Sequence, residues 1–437
     1  MQLSKSQVIL STLLVALWIR ATLGFVAQEI MPALRQALPV VLLAFDAVVA
    51  LLGAWTMTHR RDWLWAAVLV AFTAAITMGL NHMGLLFYLN GMRDFLGLLV
   101  VVPIMRFFRD DDERWHTFVE RIDRFLYLYL LLQVPCNIYQ FLVHGAGDHV
   151  GGSLGDYTSG TTSTLVYLIS FYLLNKRLDR NHLLASLRQN AQFLLLLLPT
   201  FLNETKVSFV FLLLYLALLL PLDRKIFVRA TVAIPVIGLL LYGAATIYIM
   251  STGGKAGDIF SIEYYTESYL MSADADETEK YVKWFLENED EAMDDISLTG
   301  DVPRFTKFLF LNELHDEEPG HRLTGWGVGH FKGGTIVPES DFYTQNEWML
   351  SGTIPYLFHL LVQVGWLGVA LVAVFFAMLL GLPPRPGLRR DFNLQFYLIA
   401  LVLLIMVYQD FFRNLFVCLI VFFTAFQAWH EPREQQE

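Results

Sequence analysis

The residues best suited to chemistry form a short glycine-rich stretch that follows two arginines. Gly325, Gly327 and Gly329 occupy alternate positions, and Arg304 and Arg322 precede them. Glycine allows the backbone to approach a ligand closely, and successive amide N–H groups can form a concave site for an anion. The stretch therefore predicts an anion-binding loop.

Several classes of site do not fit this stretch. It lacks the strand–helix context of a dinucleotide fingerprint, and the whole sequence lacks the Gly-Lys-Ser/Thr of an ATP-binding loop. No metal-ligand motif is present, and the two cysteines, Cys136 and Cys418, lie in apolar runs. We therefore expect no cofactor and no metal ion, and an ATP-driven pump is disfavoured.

Composition places this stretch in a membrane protein. The 437-residue chain is 55% hydrophobic and 16% charged, and a soluble fold cannot bury so much apolar surface. Its net charge of −10 disfavours nucleic-acid binding. The predicted fold class is an all-α polytopic membrane protein, because a spanning helix needs roughly 20 apolar residues and twelve such runs occur. They lie near residues 7–25, 38–56, 63–81, 85–107, 123–143, 159–175, 183–202, 205–222, 230–250, 356–381, 393–409 and 412–429.

Basic residues predict the orientation of these helices. Loops after even-numbered spans hold 17 lysines and arginines, whereas the short loops after odd-numbered spans hold only three. The positive-inside rule therefore places both termini in the cytoplasm. The chain then divides into a membrane bundle with spans 1–9 (1–251), one large external loop (252–350), and spans 10–12 with a cytoplasmic tail (351–437).

The external loop changes character along its length. It holds 21 acidic and 7 basic residues, and its middle part, from Ser272 to Asp295, is strongly acidic. We interpret that part as a solvated acidic face. Arg304, Arg322 and the glycine-rich stretch lie in the C-terminal half of the loop, to which the chemistry is therefore assigned.

Charged residues inside the predicted spans have two interpretations. Arg20, Asp46, Arg93, Asp94 and Asp410 are costly in a bilayer, and such residues tend to be functional. Alternatively, the first four pair with one another inside the bundle. Lys206 differs from them because it opens a span at its outer end, where an external anion can reach it.

Four stretches follow one another with a definite order and sidedness. They are Gln133–Gly155, Asn203–Lys206, Arg304 with Leu323–Gly329, and Tyr356–Gly368. Together with the twelve predicted spans, they resemble the O-antigen ligase and Wzy-type polysaccharide polymerase superfamily. The resemblance covers most of the chain.

The resemblance implies a metal-independent glycosyltransferase of the GT-C type on the periplasmic face of the bacterial inner membrane. Such enzymes take a glycan from an undecaprenyl diphosphate carrier and join it to an acceptor hydroxyl. In the family, basic residues at a span edge and in the large loop hold the diphosphate, which implies Lys206 and Arg304 here. We add Arg322 and Arg93 by charge and location.

The implied reaction also needs a general base for the acceptor hydroxyl. The candidates are His330, Glu339 and Asp341, because they lie in the segment that leads back into the membrane. We rank His330 first, because the unperturbed pKa of a histidine side chain lies close to neutral pH. This sequence departs from the ligase pattern at one point. Ligases carry a His-Asn pair just before the span that contains Gly-x-x-Gly. This sequence has Ile354–Pro355 there, and His359 lies a turn further along.

The predicted function is polymerisation of undecaprenyl-diphosphate-linked repeats into an O-antigen, capsule or exopolysaccharide. The alternatives are a ligase that transfers glycan to lipid A core and a lipid-linked-sugar flippase or secondary transporter. A transporter is expected to gather charges at mid-membrane, whereas the basic–glycine cluster here is predicted to be external. The predicted partners are the lipid-linked donor and acceptor, the bilayer and a chain-length-regulating co-polymerase.

Overall fold

The structure is a computed structural model, and every regular element that it describes is a helix. The predicted ninth span, the acidic stretch Ser272–Asp295 and Lys206 lie outside the described residues. The described residues are 4–145, 147, 149–155, 158–179, 182–203, 207–219, 304–331, 337–350, 352–380 and 392–430.

Among the described residues, six helical segments are long and apolar enough to cross a membrane, which confirms a polytopic α-helical membrane protein. Five of them follow one another at the start of the chain. They are formed by α1 (Lys5–Phe25), α2 (Leu38–Thr56), α3 (Arg60–Ala74), α4 (Leu85–Met92) with α5 (Leu96–Arg109), and α6 (Asp112–His144).

Side-chain caps define where two of these helices begin. The Ser4 side chain accepts a hydrogen bond from the amide of Gln7 at the start of α1. Asp111 accepts one from the amide of Arg114 at 2.9 Å, and α6 therefore begins well before the predicted span at 123–143. Each cap satisfies an amide that has no partner within its helix.

The next group of helices is less regular than the sequence predicts. The predicted span 183–202 is wrong as a single helix, because two short turns interrupt it and Pro199 has no amide hydrogen to donate. By contrast, every side chain of α7 from Ser159 to Asn175 is buried, so α7 is a central helix. The elements are α7 (Ser159–Arg177), α8 (Leu183–Gln189), α9 (Gln192–Leu195), α10 (Pro199–Leu202) and α11 (Val207–Leu219).

The described part of the large loop is also helical, and three apolar helices follow it. The sixth candidate span lies in the first of these three. Twelve spans and a GT-C architecture stay predictions. The elements are α12 (Arg304–Glu317), α13 (His321–Thr324), α14 (Asp341–Gln345), α15 (Glu347–Leu350), α16 (Tyr356–Leu380), α17 (Phe392–Tyr408) and α18 (Leu415–His430).

Two apolar clusters hold these elements together. The larger one centres on α5, α7 and α18, where Val101, Leu168 and Ile420 are fully buried. The smaller one joins the loop helices to α16 through Phe310 and Phe358. Because lipid is as apolar as these side chains, van der Waals packing stabilises such contacts within a bilayer.

Candidate functional site

The glycine loop (residues 325–331) packs inside the helical bundle. Gly325, Gly327 and Gly329 have φ values of +70°, +101° and +121°, which favour glycine. A side chain added at Gly91 of α4 would collide with the backbone of Val328 and Gly329. The loop therefore touches α4 backbone to backbone.

A break in α16 receives the start of this loop. Gly365 has φ +59°, which interrupts the helix. In an uninterrupted helix the carbonyls of Val362 and Gln363 would accept the amides four residues ahead. Here they accept the amides of Trp326 at 2.8 Å and Gly327 at 3.0 Å. The loop thus satisfies the carbonyls that the break would otherwise leave without partners.

The glycine loop does not offer these amides to an anion. The Gly325 amide donates to the His321 carbonyl at 2.7 Å, and the Val328 amide donates to the Thr77 hydroxyl at 2.9 Å. Four consecutive amides, from 325 to 328, therefore have partners within the chain. The expected anion-binding concavity is wrong for these amides, and their glycines serve close packing instead. A wider role of the loop in a site stays a prediction.

His330 is buried at the end of the loop with both ring nitrogens engaged. Its Nε2 lies 2.8 Å from the Trp326 carbonyl and its Nδ1 lies 2.7 Å from the Ser340 hydroxyl. Since a carbonyl can only accept, Nε2 carries the hydrogen and Nδ1 accepts from Ser340. Burial lowers the pKa of His330 to about 4. The ring therefore joins the loop to Ser340, while Glu339 and Asp341 on either side of Ser340 are exposed.

A second loop histidine, His315, is buried in a similar way. Its ring stacks on Trp326 at 5.2 Å, and within the described residues its Nε2 has no hydrogen-bond partner. Burial, followed by the charge of Arg322, lowers the pKa of His315 to about 4. His315 and His330 are therefore neutral at pH 7.

We expect acid to destabilise the loop through these two histidines. Both native pKa values lie below the unfolded value near 6.5, so the unfolded chain binds more protons as the pH falls. Stability is complete above pH 6.5 and decreases towards pH 4, by up to about 3 kcal/mol for each histidine. His315→Phe, which keeps a stacked ring, should make the melting temperature less dependent on pH between 7.5 and 4.5. His116→Gln, at an exposed position of α6, is the control, and equal slopes in all three proteins would refute the assignment.

The predicted diphosphate-binding cations have separate surroundings. Arg304 donates from Nε to the Tyr408 carbonyl at 2.9 Å, and its guanidinium lies over the Tyr408 ring. Arg322 is exposed and pairs with Asp316 at 2.8 Å. Arg93 pairs with Asp46 at 2.7 Å, as the pairing interpretation of the intramembrane charges predicts. Diphosphate binding by these residues stays a prediction.

Distant parts of the chain meet in a cluster of charged side chains that the spacing of residues in the sequence does not predict. This charge cluster consists of Asp94 and His359, which are buried, and of Asp410 and Arg413, which are partly buried. The Asp94 Oδ2 lies 3.4 Å from both the Arg413 Nε and the His359 Nε2, and Arg413 Nη1 lies 2.6 Å from Asp410 Oδ2. Only the last pair has a local signal, because Asp410 and Arg413 are three residues apart.

The cluster meets the end of the glycine loop. Arg413 donates from Nη2 to the Phe331 carbonyl at 3.1 Å and lies over the Phe331 ring. The His359 ring contacts the same phenylalanine, with ring centres 4.7 Å apart. The loop that was expected at the surface therefore ends on buried charges of the bundle.

The connection between α17 and α18, which carries Arg413, is deep within the bundle. The ring of the adjacent Phe416 lies 5.7 Å from that of Tyr129. Tyr129 precedes the end of α6 at His144 by about fifteen residues, which is roughly 22 Å of helix. The connection that carries Arg413 therefore lies near the middle of α6.

Another loop enters the bundle beside α1 and α6. The amide of Gly152 donates to the Gln140 side chain at 2.7 Å, and the amide of Ser153 donates to the Gln133 side chain at 3.0 Å. A side chain added at Gly24 of α1 would collide with the Leu154 carbonyl. Irregular backbone at this depth is tolerated where it is buried in protein or lines a polar cavity.

The second predicted motif is described only in part. Asn203 is buried and donates to the Ser159 carbonyl and the Ser163 hydroxyl, at 3.1 and 2.7 Å. It therefore fixes the turn before α11 to the start of α7. The residues after it, including Lys206, are outside the described residues.

The bundle thus contains three irregular backbone segments together with ion pairs. The segments are the loop at 151–155, the glycine loop and the connection between α17 and α18. Such an arrangement can bind a polar or charged group within the thickness of a membrane. Among the described residues, no three His, Cys, Asp or Glu side chains are placed to hold one metal ion.

Comparison with known protein families gives no match to this chain, and comparison with curated proteins gives none either.

Proposed function

We propose that the protein polymerises undecaprenyl-diphosphate-linked oligosaccharide repeats on the periplasmic face of the bacterial inner membrane. The observation that carries the proposal is the entry of the glycine loop into the bundle, where the Phe331 carbonyl meets Arg413. A loop that binds glycan and a bundle that admits a lipid carrier would meet at this point. Two of the four stretches that carry the resemblance, those around Gly325 and Gly365, are in direct contact, which supports the proposal further.

In the proposed reaction the acceptor hydroxyl attacks the anomeric carbon of the donor sugar. A base takes the hydroxyl proton, the new glycosidic bond forms, and the bond between the anomeric carbon and the phosphate oxygen breaks. The carrier diphosphate leaves with the electron pair, so negative charge develops on it. Lys206 and Arg304 would stabilise that charge, and each charge-assisted hydrogen bond contributes roughly 1.5–3 kcal/mol.

Glu339 and Asp341 suit the role of base better than His330. Both carboxylates are exposed, whereas both nitrogens of His330 are engaged. A positioned base typically contributes about 10²–10⁴ in rate. In the proposal, His330 holds the segment that presents these carboxylates, and one of the carboxylates takes the proton.

One observation favours a transporter of lipid-linked sugar as a second candidate. Buried ion pairs and a broken helix within the bundle are features of secondary transporters. The pairs Arg93–Asp46 and Arg413–Asp94 and the break at Gly365 supply them here. The extended external loop and its motifs favour the polymerase.

One assay separates the candidates. The purified protein is reconstituted in vesicles with lipid-linked repeats and no nucleotide. A ladder of longer glycans supports the polymerase, and transfer to added lipid A core would indicate a ligase instead. Repeats that change leaflet without any new glycosidic bond would indicate a transporter.

We expect Arg304→Ala and Lys206→Ala each to abolish the ladder while expression stays intact. Loss of either cation removes stabilisation of the leaving diphosphate. Arg35→Ala is the matched control, because Arg35 is exposed and donates to the Gln28 carbonyl. A full ladder from either variant would remove that residue from the diphosphate site.

A further inference from the structure

Two backbone carbonyls in α16 have two alternative sets of partners. Here the carbonyls of Val362 and Gln363 accept the amides of Trp326 and Gly327 in the glycine loop, at 2.8 and 3.0 Å. In an uninterrupted helix the same carbonyls would accept the helix's own amides four residues ahead. The docked loop and a continuous α16 therefore compete for the same two acceptors.

Gly365 allows α16 to adopt either arrangement. Its φ of +59° and ψ of −166° lie outside the helical region and break the helix. Glycine populates positive and negative φ about equally well. Residue 365 can therefore pass from the broken to the helical conformation without the strain that a side chain would add, and the break is reversible.

A buried side chain next to the break opposes the docked arrangement. Gln363 has no exposed surface, and within the described part of the chain its Oε1 and Nε2 have no hydrogen-bond partner. A buried amide group without partners is costly. The loop lies directly against the backbone of Gln363 at Gly325, so its release would open the surroundings of this side chain. The docked state thus carries a cost that release would relieve.

The loop is also held by elements other than α16. The Val328 amide donates to the hydroxyl of Thr77, which follows α3, at 2.9 Å. The Phe331 carbonyl accepts a hydrogen bond from Arg413, which precedes α18, at 3.1 Å. These contacts stabilise the docked state and connect the loop to the charge cluster. A change at either contact would therefore alter the competition for the carbonyls of α16.

We propose that the glycine loop and α16 form a two-state switch. In the first state, which this structure shows, the loop is docked and α16 is broken at Gly365. In the second state the loop is released and α16 is continuous. Because α16 contains a segment long and apolar enough to cross a membrane, the switch would transmit a change in the loop to a membrane-spanning helix. A ligand that binds one state more tightly would shift both elements together.

The first test releases the loop and follows the helix. Hydrogen exchange of the full-length protein in detergent is measured by mass spectrometry on peptides from the loop and from α16. Gly327→Pro removes an amide donor and cannot adopt a φ of +101°, so the loop peptide should exchange faster. The amides of Trp366 and Leu367 should exchange at least about tenfold more slowly, because they gain the carbonyls that the loop gives up.

A second proline variant is the control for this test. Gly320 has a φ of −61° and open space around its Cα, so Gly320→Pro should leave both peptides unchanged. Faster exchange of the loop in Gly327→Pro without slower exchange at Trp366 and Leu367 would show that the helix does not follow the loop. A loop peptide that exchanges at the wild-type rate would show that docking does not depend on the shared carbonyls. Either result would overturn the proposed switch.

The second test favours the docked state and decides the matter if Gly327→Pro does not fold. Gln363→Met keeps the length of the side chain and removes the unpartnered amide. The loop amides should then exchange about tenfold more slowly, because the docked state no longer buries a polar group without partners. Gln192→Met, at an exposed position of α9, is the matched control. Loop exchange that is unchanged or faster in Gln363→Met would reject the switch.

The switch does not depend on the proposed function, because neither test uses a glycan substrate. If the exchange experiments contradict the switch while a glycan ladder forms, the switch is rejected and the polymerase proposal stands. If the exchange experiments agree with the switch while no new glycosidic bond forms, the switch stands and the polymerase is rejected.

Discussion

Arg413→Met should lower the free energy of unfolding by about 3–5 kcal/mol and abolish polymer formation. Arg413 contacts both Asp94 and Asp410, and Asp94 is only 3% exposed. Removing one partner of a buried ion pair leaves an uncompensated charge, which is the costly case. The substitution also removes the donor to the Phe331 carbonyl, so the end of the glycine loop should detach.

A double variant separates the charge effect from lost packing. In the Arg413→Met variant the Asp94 carboxylate stays buried without its arginine partner. Adding Asp94→Asn removes that negative charge. The double variant should therefore recover part of the lost stability, measured by thermal unfolding in detergent. A single variant as stable as the wild type would show that the cluster does not hold the loop.

The second large effect is expected at the contact between the glycine loop and α16. A side chain at Gly365 would collide with the Leu323 backbone, and one at Gly325 would collide with the Gln363 backbone. Both glycines also have positive φ. Backbone strain and overpacking each cost about 1–3 kcal/mol. Gly325→Ala and Gly365→Ala should therefore each destabilise the protein by at least about 2 kcal/mol.

The readout for these variants is limited proteolysis of the loop together with thermal unfolding. Gly320→Ala is the matched control, because Gly320 has a negative φ and open space around its Cα. We expect cleavage near residues 325–331 only in the Gly325 and Gly365 variants. Equal resistance in all three variants would contradict the proposed docking of the loop.

The sequence predicted the apolar helices well because hydropathy is a local property. The first five predicted spans and the span that begins at 356 each overlap a helix that is long and apolar enough to cross a membrane. The prediction of a single span at 183–202 was wrong for the same reason. Hydropathy depends only on local composition and does not report turns such as the one before Pro199. A run of leucines looks the same whether or not its backbone hydrogen bonds continue.

The site was harder to predict because its contacts join distant residues. Thr77 and Val328, and Asp94 and Arg413, are far apart in the sequence. Val328 carried a signal as a member of the glycine stretch and Asp94 as an intramembrane charge, whereas nothing in the sequence singled out Thr77 or Arg413. Their partners depend on how the helices pack, which the spacing of one sequence does not encode. Arg93 and Asp46 were the exception, since two costly charges predict pairing.

We propose that this chain forms glycosidic bonds and releases a carrier diphosphate. The most direct measurement incubates the purified protein with lipid-linked repeats, without nucleotide, and quantifies glycan length and free undecaprenyl diphosphate by mass spectrometry. We expect one carrier diphosphate to be released for every repeat added. Repeats that stay single, with no free carrier formed by an intact and correctly folded protein, would contradict it.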